Sequence, residues 1–266
     1  GDGLQIVGNV PVLNSIVSCQ WLNDNHSNEN LIILDASAKN NKSGLISENH
    51  ENYIPNARFF DLANDFSDSN AEFPNTFPEL KQFNANCQEL GINQDSIIVV
   101  YDNLGIYSSP RVWWMFQTMG HENVFVLDGG LPAWIKCGYS ISNLIVGSYP
   151  KGNFKGYKDN TRIKDFHFMK TYAPICTVQV IDARSKGRFN GTAPEPREGL
   201  ESGSIPYSIN IPFQEVLDNG HLKSKQELED IFEIVSENKR PKVFTCGSGL
   251  TACILLLAAK HIGIQD

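Results

Sequence analysis

The sequence predicts an α/β protein of two similar domains, each a mainly parallel sheet flanked by helices. Three observations carry this prediction. Short β-branched apolar runs alternate with stretches of helical period, the pattern of strands joined by crossover helices. The same series of segments occurs twice. The chain has 266 residues, 41% of them hydrophobic, enough to bury two cores of ordinary size.

The expected strands are Leu31 to Asp35, Ile97 to Tyr101, Val124 to Leu127, Val178 to Asp182 and Val243 to Thr245, short apolar runs rich in Val and Ile. Helix signals fall between them. Thr76 and Glu79 form a T-x-x-E capping box before a helix that Gly91 can close, and Ser224 and Glu227 form an S-x-x-E box before Leu228 to Val235. Another helix is expected from Pro110, whose fixed φ suits a first turn, to Gly120. Trp113 and Trp114 are adjacent on that helix and cannot share a face; one is expected in the core and the other toward the partner domain.

LIILDAS (31 to 37) matches VQVIDAR (178 to 184), YIPNARFF (53 to 60) matches SIPYSINI (204 to 211), and IIVVYDNLGIYSSPR (97 to 111) matches KVFTCGSGLTACI (242 to 254). The offsets are about 147, 151 and 144 residues, which implies one duplicated unit with small loop changes. The expected domains are residues 1–141 and 161–266. The Gly-, Ser-, Asn- and Lys-containing stretch 142–160 has no clear periodicity and reads as the linker. NVFVLDGGLPAW (123 to 134) in the first half, a strand and a turn, has no counterpart before Asp266, so the second domain is expected to be short of its C-terminal strand.

A formal net charge of -8 argues against nucleic acid or an acidic membrane surface as partner, because both require a basic face. The apolar run Ile254 to Ala259 is broken by Lys260 and His261 and is far too short to span a bilayer. Residues 1–10 lack the basic and apolar regions of a signal peptide. The expected location is the cytoplasm, or the mitochondrion if a transit peptide has been removed. Six cysteines (Cys19, Cys87, Cys137, Cys176, Cys246 and Cys253) make no C-x-x-C pair, which fits free thiols in a reducing compartment better than a zinc site or a disulfide framework. Most are expected to be buried and inert. The six histidines show no metal-ligand spacing and are expected at the surface or in caps. Neither a metal nor an organic cofactor is expected.

Where the first copy has Asp102, the second has Cys246. The second copy reads as a short strand, the loop C-G-S-G-L-T, and an apolar helix stopped by Gly263. Gly247 and Gly249 permit backbone conformations that turn successive N–H groups toward the Cys246 sulfur, and a helix N-terminus directly behind adds positive potential. Both favour the thiolate, the form that attacks. A Gly-rich turn with a buried cysteine is the commoner use of such residues, but the duplication tips the balance here. A C-x5-R phosphatase loop is excluded, because position 252 is alanine. Of seven arginines, Arg184, Arg188 and Arg197 fall within fourteen residues of the second half. Arg184 is expected to pair structurally near the end of its strand.

CGSGLTA, preceded by DARSKGRFNGTAPEPREGLESGSIP (182 to 206), resembles the 3-mercaptopyruvate sulfurtransferases, a family of tandem-domain rhodanese relatives with an inactive N-terminal copy. FFDLANDFSD (59 to 68) and SSPRVWWMFQTMGHENVFVLDGGLPAW (108 to 134) are similar to that inactive domain, so the resemblance covers nearly the whole chain. It implies two tandem rhodanese-like domains, with sulfur passing from a small-molecule donor through a Cys246 persulfide to a thiol acceptor such as thioredoxin or a low-molecular-weight thiol, or to cyanide. Gly247 and Ser248 stand where thiosulfate enzymes typically carry Arg and Lys, which implies 3-mercaptopyruvate as donor and thiosulfate as the alternative. A non-catalytic persulfide-carrying or regulatory protein is the third reading. The resemblance assigns Arg188 and Arg197 to the substrate, which a guanidinium can hold bidentately by its carboxylate, and Gly247, Gly249, Leu250 and Thr251 to the loop around it. It also implies a Ser, His and Asp proton relay, matched here only by Ser248 and Asp61. Asn75 stands in place of the usual His and cannot be a general base near neutral pH, so the proton moves through water and Ser248 or the substrate differs. Ser204 and Tyr207 replace the usual His and Gly before the loop, a change expected to alter packing more than chemistry.

Overall fold

The computed structural model describes residues 15–38, 47, 51–71, 76–145, 147–157, 179–191, 208–236, 240–246 and 249–264. The chain divides into two compact units, Gly1–Asp159 with Asn219–His221, and Asn160–Asp218 with Leu222–Asp266.

The first unit is built on five parallel strands, β1 (Ile16–Val17), β2 (Leu31–Asp35), β3 (Arg58–Phe59), β4 (Ile97–Tyr101) and β5 (Val124–Leu127), in the order β1-β5-β4-β2-β3. Every residue of β4 and β5 is buried, as expected of a parallel sheet covered on both faces. Alternate residues therefore serve different cores. Ile33, Ile97, Val99, Tyr101, Phe125 and Leu127 pack with Trp21, Leu22, Leu131 and Trp134 from helices α1 (Cys19–Asn25) and α4 (Gly130–Lys136). A separate aromatic cluster joins helices α2 (Leu80–Glu89) and α3 (Ser109–Thr118): Phe60 stacks on Phe66 at 3.6 Å, and Phe83 meets Phe116 edge-on at 5.3 Å.

The helix ends show which local signals hold. Pro110 sits in the first turn of α3, and Gly120 follows its end with φ +80°. Trp113 is fully buried; Trp114 is half-buried against Phe77 and the Arg111 guanidinium. The Thr76–Glu79 capping box does not form. Helix α2 starts at Leu80 after Glu79, without a side-chain cap, because Pro78 biases Phe77 away from helical backbone and blocks an earlier start. The Thr76 carbonyl accepts instead from the Asp68 amide at 2.9 Å.

Within 142–160, the stretch expected to be a linker, residues 152–156 are fastened to the first unit. Gly152 donates to the Gln88 carbonyl at 2.8 Å, Phe154 to that of Ile92 at 3.0 Å, and Gly156 to the Asn84 side chain at 2.9 Å. Phe154 is fully buried, and a Cβ on Gly152 would run into the Ile92 carbonyl. The glycine here serves close backbone approach rather than flexibility. His121, expected at the surface, is buried between Phe116 and Phe154.

The second unit repeats the plan. Strands β6 (Gln179–Asp182), β7 (Ile209–Asn210) and β10 (Lys242–Thr245) form a parallel sheet in the order β10-β6-β7. Between them lie the short helix α5 (Lys186–Asn190), a 3-10 turn Phe213–Val216, and a two-stranded ribbon of β8 (Leu217–Asp218) and β9 (His221–Leu222) turned by Asn219 and Gly220, both at positive φ. Helix α6 (Lys225–Ser236) buries Leu228, Phe232 and Val235, one stripe of its surface, and its Ser224–Glu227 box forms: the Glu227 amide donates to Ser224 Oγ at 3.2 Å. Helix α7 (Thr251–His261) is apolar nearly all round. Val178 lies outside the described residues.

Registry shows the duplication directly. Asp35 pairs with Tyr101 and Phe59, and Asp182 with Thr245 and Asn210. The hydrogen bonds that follow also recur: Ala36 donates to the Tyr101 carbonyl at 2.8 Å and Ala183 to that of Thr245 at 2.9 Å. Among the described residues no helix is long and apolar enough to cross a membrane.

Candidate active site

In a parallel sheet, the loops after the carboxyl ends of the strands are where backbone amides and helix N-termini converge. Two such loops of the second unit hold residues expected at the site, and they leave neighbouring strands at the same level, because Asp182 and Thr245 are paired.

After β10 comes Cys246, half-buried, and then the turn into α7. Gly249, in left-handed backbone at φ +75°, donates its N–H to Cys246 Sγ at 3.1 Å. Helix α7 begins with no side-chain cap on Leu250, so its first amides are not taken up by that side chain. Leu250 and Thr251 are buried at 6% and 9% exposure, which leaves mainly their backbone to face a ligand. Cys253, one of the cysteines with no role expected from the sequence, has its thiol 3.7 Å from the Gly249 carbonyl and braces the same residue from the helix side.

The equivalent loop of the first unit shows what such a turn is built to hold. Asp102 is fully buried, and its carboxylate accepts from the amides of Leu104 at 3.0 Å, Tyr107 at 2.9 Å and Ser109 at 2.9 Å. Burial pushes its carboxyl above the usual range, and these amides pull it back. The first copy thus fills its anion cradle with its own side chain; the second presents a sulfur there.

After β6, Arg184 pairs with Asp182 through Nε at 3.0 Å and Nη2 at 2.6 Å, as its place near the strand end suggested. Asn210 on β7 donates to the carbonyls of Asp182 at 3.0 Å and Arg184 at 2.8 Å. This asparagine was missed; its only sequence signal is a polar residue at an otherwise apolar strand position. The fixed bend leads into α5, where Ser185 caps the amide of Arg188 at 3.3 Å, leaving Arg188 half-buried on the same carboxyl edge as Cys246. Asp61 belongs to the first unit, where its carboxylate accepts from the Asn64 side chain at 3.0 and 3.1 Å. Asn75, Cys176, Arg197, Ser204, Tyr207, Gly247 and Ser248 lie outside the described residues. Among the described residues no group of three or more His, Cys, Asp or Glu could hold a metal ion.

By class, this is a duplicated α/β fold that presents a cysteine in an amide turn at the head of a helix. A profile of the rhodanese-like domain matches residues 18–137. Mouse 3-mercaptopyruvate sulfurtransferase is 39% identical over 262 residues, covering 95% of this chain and 88% of that protein. The mitochondrial thiosulfate/3-mercaptopyruvate sulfurtransferase 1 of Arabidopsis thaliana is 39% identical over 279 residues, covering 94% and 72%. The crystal structure of Escherichia coli SseA, described as a 3-mercaptopyruvate sulfotransferase of rhodanese fold, matches with a TM-score of 0.83 at 31% identity over 94% of this chain and 95% of that one. The chain belongs to the rhodanese superfamily of sulfurtransferases, with the 3-mercaptopyruvate sulfurtransferases within it.

Proposed function

We propose that this sulfurtransferase takes sulfur from 3-mercaptopyruvate onto Cys246 and passes it to a thiol, releasing pyruvate. The observation that carries the reading is the 3.1 Å hydrogen bond from Gly249 N–H to Cys246 Sγ at the head of α7, which suits a thiolate and then a persulfide anion. In the first step the Cys246 thiolate attacks the donor sulfur. The carbon–sulfur bond breaks, its electrons pass to the enolate of pyruvate, and the enolate is protonated. Arg188 and Arg197 hold the carboxylate and keto oxygen, so charge develops against fixed cations. The backbone of Gly247, Gly249, Leu250 and Thr251 lines the donor. In the second step an acceptor thiolate removes the outer sulfur and regenerates Cys246.

Ser248 serves the proton transfer, through water rather than a side-chain general base. The acceptor is a thiol, such as thioredoxin or a low-molecular-weight thiol, or cyanide. A reducing compartment, cytoplasmic or mitochondrial, suits a free thiolate.

Thiosulfate is the second reading, favoured by the name of the Arabidopsis relative and by chicken thiosulfate sulfurtransferase, 35% identical over 95% of this chain and 89% of that one. Pyruvate from 3-mercaptopyruvate and sulfite from thiosulfate are measured side by side, with Cys246→Ser as control. Pyruvate well above sulfite, lost in the variant, is expected. Equal or inverted rates move the donor to thiosulfate, and no turnover of either supports a persulfide-carrying protein without catalysis.

A further inference from the structure

The two copies differ at the last residue of an edge strand. Phe59 ends β3 opposite Asp35, and Asn210 ends β7 opposite Asp182; both are half-buried. Asn210 Nδ2 donates to the carbonyl of Asp182 at 3.0 Å and to that of Arg184 at 2.8 Å. Carbonyl oxygens only accept, so the amide is oriented with its NH2 toward both. A phenylalanine can donate to neither, yet the first copy keeps the same strand pairing with one. Phe60 donates to the Asp35 carbonyl at 2.9 Å, as Ile211 does to that of Asp182 at 3.0 Å. The sheet itself therefore does not require the asparagine.

The Arg184 carbonyl and the Ser185 nitrogen belong to one planar peptide, so the bond from Asn210 fixes the plane from which α5 starts. Ser185 caps α5, and its hydroxyl accepts from the Arg188 amide at 3.3 Å. Helix α5 has five residues and buries none of them. A helix this short does not hold itself, and no buried face anchors it. Its direction is set by the polar ties at its start, and Arg188 lies at its middle. We propose that Asn210 is a positioning residue for the sulfur donor: by holding the Asp182 and Arg184 carbonyls it aims α5 and, given the assignment of Arg188 to the donor, sets where that guanidinium meets the donor's anionic end. The residue at the end of β7 is then a determinant of donor affinity and not of sulfur reactivity.

The test compares Asn210→Phe, the residue of the first copy, with Asn210→Asp, which keeps the size and removes both N–H donors. Hydrogen exchange over residues 185–190 reads α5 without any turnover. KM and kcat for 3-mercaptopyruvate and for thiosulfate read the donor, and alkylation of Cys246 by iodoacetamide, a neutral reagent, reads the sulfur. In both variants α5 is expected to exchange faster and KM to rise about tenfold for the two lost hydrogen bonds, with kcat and the alkylation rate near wild type. Exchange over 185–190 equal to that of the wild type overturns the role of Asn210, even where the urea midpoint falls. Faster exchange with KM unchanged for the donor turned over overturns the link to the donor, and with it the assignment of Arg188. Since exchange needs no donor, failure of the Cys246 reaction is told apart from failure of Asn210 to hold α5. If Asn210→Phe does not fold, Asn210→Asp decides by the same measurements.

Discussion

Gly249 reaches Cys246 Sγ with its N–H at 3.1 Å only because its backbone is left-handed, at φ +75°. A side chain at that position crowds its own carbonyl, so the turn that holds the sulfur and the residue type that permits it are one constraint.

Gly249→Ala is expected to fold and to lose much of the reactivity of Cys246. Left-handed backbone costs an L-residue about 1–2 kcal/mol. If the turn relaxes to avoid that cost, the sulfur loses its donor, and a change of that size corresponds to about tenfold in rate. The check is the rate of iodoacetamide alkylation of Cys246 against pH, beside kcat/KM for pyruvate release and circular dichroism. Unaltered alkylation in a folded variant would remove the Gly249 amide from the mechanism.

Asp102→Asn is expected to destabilise the first unit although it removes a buried charge. The carboxylate satisfies three amides, two of them on one oxygen. An asparagine offers one oxygen and turns an NH2 toward the remaining donors, and each buried donor left unmatched costs about 1–3 kcal/mol. The urea midpoint of the first unit should fall accordingly, while alkylation of Cys246 is unaffected. A variant as stable as the wild type would mean that the loop re-pairs its amides elsewhere.

What could be read from the chain follows the size of each element. Runs such as Ile97 to Tyr101 contain only β-branched or aromatic residues, so strand was the one economical reading, and β4 has those bounds. Strands β1, β3 and β7, two residues each, carry no period at all; registry against a longer neighbour defines them. Helix α4 was read as a turn, because Gly129, Gly130 and Pro132 are turn residues; burial of Leu131 and Trp134 outweighs that local preference. In the site, Arg184 was legible because its acidic partner is two residues away in sequence. Asn210 and Cys253 were not, since each acts on backbone groups that only the fold brings near.

Arg184→Lys should separate positioning from chemistry. Asp182 is buried, and the guanidinium meets both of its carboxylate oxygens while the Arg184 carbonyl takes Asn210. Lysine keeps the charge and loses the planar, two-point contact. The bend before α5 then loosens, and Arg188 with it, so KM for the donor rises while kcat and the alkylation rate of Cys246 stay near wild type. Asp182→Ala removes the two-point carboxylate contact of a guanidinium at 11% side-chain exposure and should lower the stability of the second unit, seen as a lower urea midpoint. A fall in kcat with KM unchanged would place Arg184 in the chemistry instead.

His121 should make the stability of the first unit depend on pH. Its Nε2 lies 2.8 Å from the Ser96 carbonyl, which only accepts, so the neutral ring carries its proton on that nitrogen. Burial lowers the pKa of the ring, and the Ser96 hydrogen bond opposes the shift without cancelling it. In the unfolded chain the ring takes up a proton below about 6.5. The folded ring resists that proton, so the stabilisation is present above the unfolded value and is lost as pH falls through the lower folded one. His121→Gln cannot titrate and can still offer an amide N–H to Ser96. Asp35 and Asp102, whose carboxyls burial pushes up, contribute with the opposite sign, so the quantity to follow is the difference in melting temperature between variant and wild type. From about pH 7.5 to about pH 5 that difference should shift toward the variant. A difference constant across the range would mean that the folded protein protonates His121 as readily as the unfolded chain does.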